Sequence, residues 1–255
     1  MNSTDYRLLA FVRLLILVVL SGEGYAISAE DSLALAIKQR GGQVFLTPDT
    51  KQIVEVNLSG HPQLPPALLA RIAKETAITD LSLEQTPVGD LELAVLSSLH
   101  NLEWLNLYRT QITDASLMYL ASLPNLKHLP IGETKITDSG LSHLSSLPQL
   151  EYLGLRKTAI TNEGLKVLST LTNLVGLHLG ETAVSDGGLR HLAPLNSLEK
   201  LWLHNTSVTD HGLAPLANLK HLRQLMIYDT KVTAKGYQWL QTQLPDCLIL
   251  YQIED

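Results

Sequence analysis

Three imidazoles, His128, His178 and His204, have the chemistry to hold zinc or to carry a proton near neutral pH. Asp114, Asp138, Asp186 and Asp210, with Asn162 between them, fall on a 24-residue spacing, and a ladder of carboxylates is what a calcium ion would require. Seven threonines, Thr86, Thr110, Thr134, Thr158, Thr182, Thr206 and Thr230, keep the same spacing and carry hydroxyls that a base could activate. The regularity itself argues against catalysis. GETKITDSGL at 132–141 returns as GETAVSDGGL at 180–189, and a reaction centre is one convergent set of groups, not a periodic one. No Ser/His/Asp arrangement, paired-carboxylate site, HExxH or phosphate loop rises above the periodic pattern. Of the imidazoles only His178 and His204 fall on adjacent strands, which is too few ligands for a zinc site.

The elements that position these residues follow from the period. Written from Leu102, the chain falls into 24-residue blocks such as LEWLNLYRTQITDASLMYLASLPN and LKHLPIGETKITDSGLSHLSSLPQ. Seven clear units begin at Ile78, Leu102, Leu126, Leu150, Leu174, Leu198 and Leu222, and a worn unit begins at Ile53. Apolar residues occupy positions 1, 4, 6, 11, 16, 19 and usually 22 of each unit. Positions 4 and 6 alternate with variable residues, which predicts a short strand with one buried face. Positions 16, 19 and 22 line one side of a short helix or 3₁₀ turn. Neither element buries its apolar side alone, so neighbouring units must stack around a shared core.

The pattern L-x-x-L-x-L-x-x-N/C-x-L, met by Leu102, Leu105, Leu107 and Ile112 and again every 24 residues, resembles that of leucine-rich repeat proteins. The resemblance covers roughly residues 53–244 and departs from the family in placing Thr, not Asn, at position 9. It implies an α/β fold: a right-handed horseshoe solenoid with a parallel concave sheet and short convex helices. It also implies a binding module for a protein or peptide. The threonine hydroxyls are expected to satisfy backbone groups where the chain leaves the strand. The aspartates at position 13 are expected to cap the convex helices, and the glycines at position 15 to let neighbouring turns approach closely.

The flanks read differently. Arg7 and Arg13 precede LLILVVL, Leu14 to Leu20, and small residues lead to Gly24-Tyr25-Ala26, the makings of an export signal over residues 1–26. An uncleaved anchor is the other reading, but the apolar run falls well short of the roughly 20 residues that span a bilayer. Residues 27–52 are expected to form an N-terminal cap of helix plus strand, and 245–255 a closing strand. LPPALLARIAK at 64–74 faintly resembles the opening of an F-box, but the next repeat follows too soon for the rest of that domain. Formal net charge is −6, which gives no electrostatic case for nucleic acid. Cys247 is the single cysteine, so neither a disulfide nor a cysteine zinc site can form, and it reads as apolar filler. No cofactor is expected.

Function then falls to positions 3, 5 and 7 of each strand, which face away from the core. Of ten aromatic residues after Ala26, five (Trp104, Tyr108, Tyr152, Trp202 and Tyr228) occupy these columns. Chance would place about one there, and solvent exposure lowers that figure. Gly132, Gly154, Gly176 and Gly180 share the columns, which suggests a shallow glycine floor between walls formed by Trp104, Tyr108 and Tyr152 and by Trp202 and Tyr228. With His128, Arg156, His178, Lys200 and His204, these aromatics are the expected ligand-binding residues. Trp104 and Trp202 are the expected solvent-facing anchors. The expected protein is a non-catalytic module, secreted or held in the periplasm or cell envelope, with no membrane span once the signal is removed. A glycan-binding envelope module and an intracellular ubiquitin-ligase-type adaptor are the alternatives.

Overall fold

The computed structural model describes residues 31–252; the expected export signal lies outside them. A helix, Asp31–Gln39, opens the described chain and ends where Gly41 turns into left-handed backbone at φ 82°. An antiparallel hairpin of β1 (Gln43–Leu46) and β2 (Ile53–Asn57) follows. From β2 onward each coil adds one parallel strand: β3 (Asp80–Ser82), β4 (Trp104–Asn106), β5 (His128–Pro130), β6 (Tyr152–Gly154), β7 (Gly176–His178), β8 (Lys200–Trp202) and β9 (Gln224–Met226). A last strand, β10 (Leu248–Leu250), pairs with β9, and the ten strands lie side by side in sequence order. Leu81, Leu105, Leu129, Leu153, Leu177, Leu201 and Leu225 are all fully buried, and they belong to one contiguous core shared with the helical side of the coils. The helical side is a mixture of short α-helices and 3₁₀ helices, for example Asp114–Leu120 and Gly140–Ser146.

The threonine column has the structural role expected of it. Each hydroxyl donates to the position-6 carbonyl of its own coil, Thr110 to Leu107 at 2.7 Å and Thr158, Thr182 and Thr206 to Leu155, Leu179 and Leu203 at 2.6 Å. The residue before each threonine has positive φ: Gln85, Arg109, Glu133, Lys157, Glu181, Asn205 and Asp229 all lie between 52° and 59°. None is glycine, so each coil carries a left-handed residue that costs roughly 1 kcal/mol. The hydroxyl bond closes the turn that requires it.

The aspartates do not cap helices as expected. The cap is the residue before them, with Thr113, Thr161 and Thr209 each accepting from a backbone N–H two residues on. The freed carboxylate reaches across to the next coil. Asp114 accepts from the N–H and hydroxyl of Thr137 at 2.8 and 2.6 Å, Asp186 from those of Thr209 at 2.7 and 2.6 Å, and Asp210 from those of Thr233 at 2.8 and 2.6 Å. Asp138 does the same to Thr161, and Asn162 accepts from the N–H of Ser185 at 2.9 Å while donating to its hydroxyl at 2.9 Å. The position-15 glycines make room for this staple: a Cβ on Gly140 would lie 2.5 Å from Oδ1 of Asp114. Where serine replaces glycine, Ser116 donates to Asp90 instead. Burial works to raise the Asp90 carboxyl, but hydrogen bonds from Ser116 and Thr113 outweigh it and hold it below the usual carboxylate range.

Two outcomes follow. Asp138→Ala, which removes two charge-assisted bonds between coils, is expected to cost about 2–4 kcal/mol, whereas Asp138→Asn should cost far less because Asn162 already performs the task; equal losses in chemical melts would count against the staple. Leu155→Ala, at a fully buried rung, should cost roughly 2–5 kcal/mol.

Candidate functional site

The open face of the sheet is built from positions 3, 5 and 7, and it divides into two halves of different character. From β6 to β9 the rings touch one another. Tyr152 meets Trp202 edge-on at 6.2 Å, and Trp202 stacks on His178 at 5.4 Å. His178 meets His204 edge-on at 5.1 Å, and His204 stacks on Tyr228 at 4.7 Å. The glycines are not an open floor between aromatic walls, because the neighbouring rings lie on them. A Cβ at Gly176 would fall 2.8 Å from Cδ2 of Tyr152, one at Gly180 would fall 2.7 Å from Nδ1 of His204, and one at Gly132 would fall 3.1 Å from Cδ2 of Tyr108. Glycine is needed in these columns so that a ring from the same or the adjacent strand can lie flat on the sheet.

Trp202 is the main correction. Expected as a solvent-facing anchor, it is only 7% exposed, though it lies outside the leucine core. His178 and His204 are likewise buried. His178 has a scaffold role: its Nδ1 accepts from the backbone N–H of Gly180 at 3.2 Å. Asn106 and Asn57, at the same position of earlier coils, accept from the N–H groups of Tyr108 and Ser59 in the same way, each at 2.9 Å. The imidazole therefore stands in for an asparagine, with its proton on Nε2. Burial first, then the nearby His204 and Arg156, pushes the pKa of His178 down to about 3, so the ring is neutral at pH 7. Burial also lowers His204, and its Nδ1 has no hydrogen-bond partner among the described residues. Among the described residues these two histidines join no group of three or more side chains able to hold a metal.

Arg156 is also committed internally. Its Nε donates to Glu181 at 2.6 Å, and its Nη1 donates to the Tyr108 hydroxyl at 2.9 Å and lies 3.4 Å from Glu133. Tyr108 in turn donates to Glu133, which Arg109 also holds at 2.7 Å. Burial, then the bond to Glu133, raises the Tyr108 phenol to about 12. Burial acts to raise Glu133, but Arg109 and Tyr108 more than offset it and keep the carboxyl below its ordinary range. This network was not read from the sequence, because it depends on the left-handed residues 109, 133 and 181 turning toward their neighbours.

Trp104, His128 and Lys200 remain, half-buried and without a stacked ring partner among the described residues. Trp104 and His128 are register partners on β4 and β5. Pro130 has no N–H to offer the ladder, which leaves one register pair here, although its carbonyl still accepts from the N–H of Leu107 at 2.9 Å. Burial lowers the pKa of His128, against the pull of nearby Glu151 and Asp80.

No family profile matches the chain, and no curated protein sequence does. Solved structures do. An internalin (inlF) from Listeria monocytogenes aligns with a TM-score of 0.63 at 22% identity, over 88% of this chain and 64% of that one. Internalin C2 (inlC2) of the same organism gives 0.58 at 24% identity, over 83% of this chain and 100% of that one. The leucine-rich repeat ectodomain of the plant membrane receptor kinase GASSHO1/SCHENGEN3 from Arabidopsis thaliana, in complex with Casparian strip integrity factor 2, gives 0.56 at 18% identity, over 82% of this chain and 25% of that one. The chain thus spans under two thirds of the first internalin and a quarter of the plant ectodomain. The fold is that of a leucine-rich repeat horseshoe, with the open face on its concave side.

The neutral His178 yields a pH dependence of known sign. Its folded pKa lies below the unfolded value, so the unfolded chain binds a proton first, and stability is lost as pH falls from about 6.5 toward 3, at up to about 1.4 kcal/mol per pH unit. His178→Asn keeps the bond to Gly180 and removes the titration, so urea midpoints at pH 7 and pH 5 should lie closer together in that variant; an unchanged gap counts against the role assigned to His178. Trp202→Ala, expected from sequence to leave folding intact, should instead cost about 3 kcal/mol as a buried aromatic.

Proposed function

We propose that the chain is a non-catalytic binding module, exported from the cell, that presents its concave face to a protein or peptide partner. The observation that carries this reading is a separation of roles. The periodic threonines, aspartates and position-15 glycines are occupied in closing turns and joining coils. Most of the aromatic and histidine side chains of the C-terminal half brace one another. Trp104, His128 and Lys200 stay half-exposed with no such task, and a tryptophan on an accessible sheet face is a characteristic interface anchor. The plant ectodomain similar to this chain is in complex with another factor, which supports the partner class.

Export rests on the basic, apolar and small-residue order of residues 1–26. No helix among the described residues is long and apolar enough to cross a membrane. A glycan partner is less favoured than a protein, since the glycines that would have formed a flat floor for sugar rings lie under aromatic rings. The adaptor alternative loses its starting point as well: Pro66–Ile72 is a short helix with Leu68, Leu69 and Ile72 in the common core.

Partner capture from the extracellular or periplasmic fraction tests the reading. Trp104→Ala should lower capture at least tenfold while leaving the melting temperature unchanged; equal capture would move the interface to another face. N-terminal sequencing of the mature protein should begin at Ile27, and a retained leader would remove the case for cleavage.

A further inference from the structure

The N-terminal half of the concave face holds charges that the scaffold does not require. Phe45 of β1 pairs in register with Glu55 of β2, Glu55 with Asp80 of β3, and Asp80 with Trp104 of β4. Residues paired directly across strands project to the same face, and strands lie about 4.8 Å apart. The row therefore runs aromatic, carboxylate, carboxylate, aromatic over roughly 14 Å. Two like charges directly opposed on neighbouring strands weaken a sheet unless something offsets them. Among the described residues the offset is small: His128 and a hydrogen bond from Thr79 at 2.6 Å act on Asp80, but neither Glu55 nor Asp80 has a lysine or arginine partner. Burial, and then the charge of Asp80, raises the Glu55 carboxyl; burial also raises Asp80, with Thr79 acting the other way and Glu103 adding to the rise. His128, next in the row, is held toward its neutral form by burial. Phe45 is 46% exposed at one end of the row, and Trp104 is half-exposed at the other. In the C-terminal half, by contrast, rings are covered by rings.

Resting on the reading of this face as the partner surface, we infer that the Phe45–Glu55–Asp80–Trp104 row is the docking subsite for an arginine or lysine side chain of a protein partner. A cationic head group seated on the row meets the two carboxylates, and its stem reaches the ring at one end, Trp104 or Phe45, since one group cannot touch two rings roughly 14 Å apart. It supplies the missing countercharge. The acidic balance of the chain, −6, adds attraction at a distance.

The test titrates the intact chain with the peptide acetyl-Gly-Arg-Gly-Arg-Gly-amide and with its Lys and Glu counterparts, reading tryptophan fluorescence and calorimetry. The Arg peptide should bind at least tenfold tighter than the Glu peptide. The double variant Glu55→Gln/Asp80→Asn should remove that preference with no loss of melting temperature. Glu163→Gln/Asp246→Asn, which changes net charge equally at exposed sites off this face, should keep it. A preference lost equally in both double variants, or kept in both, overturns the proposal. A partner captured through Trp104 that binds Glu55→Gln/Asp80→Asn as tightly as the parent chain also overturns it while leaving the wider reading of the face intact. Capture indifferent to Trp104→Ala defeats that wider reading itself.

Discussion

Everything in this molecule depends on successive coils coinciding within a fraction of a residue. The side chain that enforces this is the aspartate or asparagine at position 13. It accepts the backbone N–H and engages the hydroxyl of the threonine or serine at position 12 of the following coil, and it fills the space in which a Cβ at that coil's position 15 would lie. Attraction and exclusion act on the same atom. A coil one residue longer or shorter would offer the carboxylate a side chain instead of a gap and would turn a leucine out of the core. The 24-residue period is thus a mechanical requirement of the stapled coils; the first coil, with Pro65 at position 13, pairs Glu55 with Asp80 at a spacing of 25.

Once register is enforced, the concave face is a grid whose columns any residue can occupy without disturbing the core, and this chain uses the freedom unevenly. Toward the C-terminus the grid is filled by its own rings, with glycines admitting them and a neutral histidine taking over an asparagine's task. Across β4–β7 an ionic chain of Arg109, Glu133, Arg156 and Glu181 runs along one border. Toward the N-terminus Glu55 and Asp80 have no lysine or arginine partner, and Phe45 and Trp104 no stacked ring, among the described residues. Composition alone would call both halves sticky. Geometry shows that one has largely satisfied itself and the other has not.

The coil architecture was legible from the chain because it rests on spacing: Leu105 and Leu107 with Thr110, repeated, determine a buried strand and the turn after it. The threonine role followed from one hydroxyl and one nearby carbonyl, a local matter. What was not legible depended on lateral reach. Asp114 looks like a cap in one coil, and only the neighbour reveals that its bonds go to Thr137. Trp202 has the type and column of an anchor, but its burial depends on His178 and Tyr152, which are 24 and 50 residues away. Phe45 gave no signal at all, since its place beside Glu55 exists only through the hairpin register. The left-handed residue at position 8 is as hard to see: only Asn205 and Asp229 are types that favour that backbone, and the other five are glutamine, arginine, glutamate or lysine where glycine would have announced it.

Pro130 has a mechanical meaning. It sits in the middle of the sheet, where proline is rarely tolerated, and leaves β4 and β5 with Trp104 and His128 as their single register pair. The seam is held beyond the missing rung: Leu107 and Arg109 donate to Pro130 and Gly132 at 2.9 Å, Lys127 pairs with Glu103 at 2.7 Å, and Asp114 grips Thr137, so side chains carry a load that the missing rung cannot.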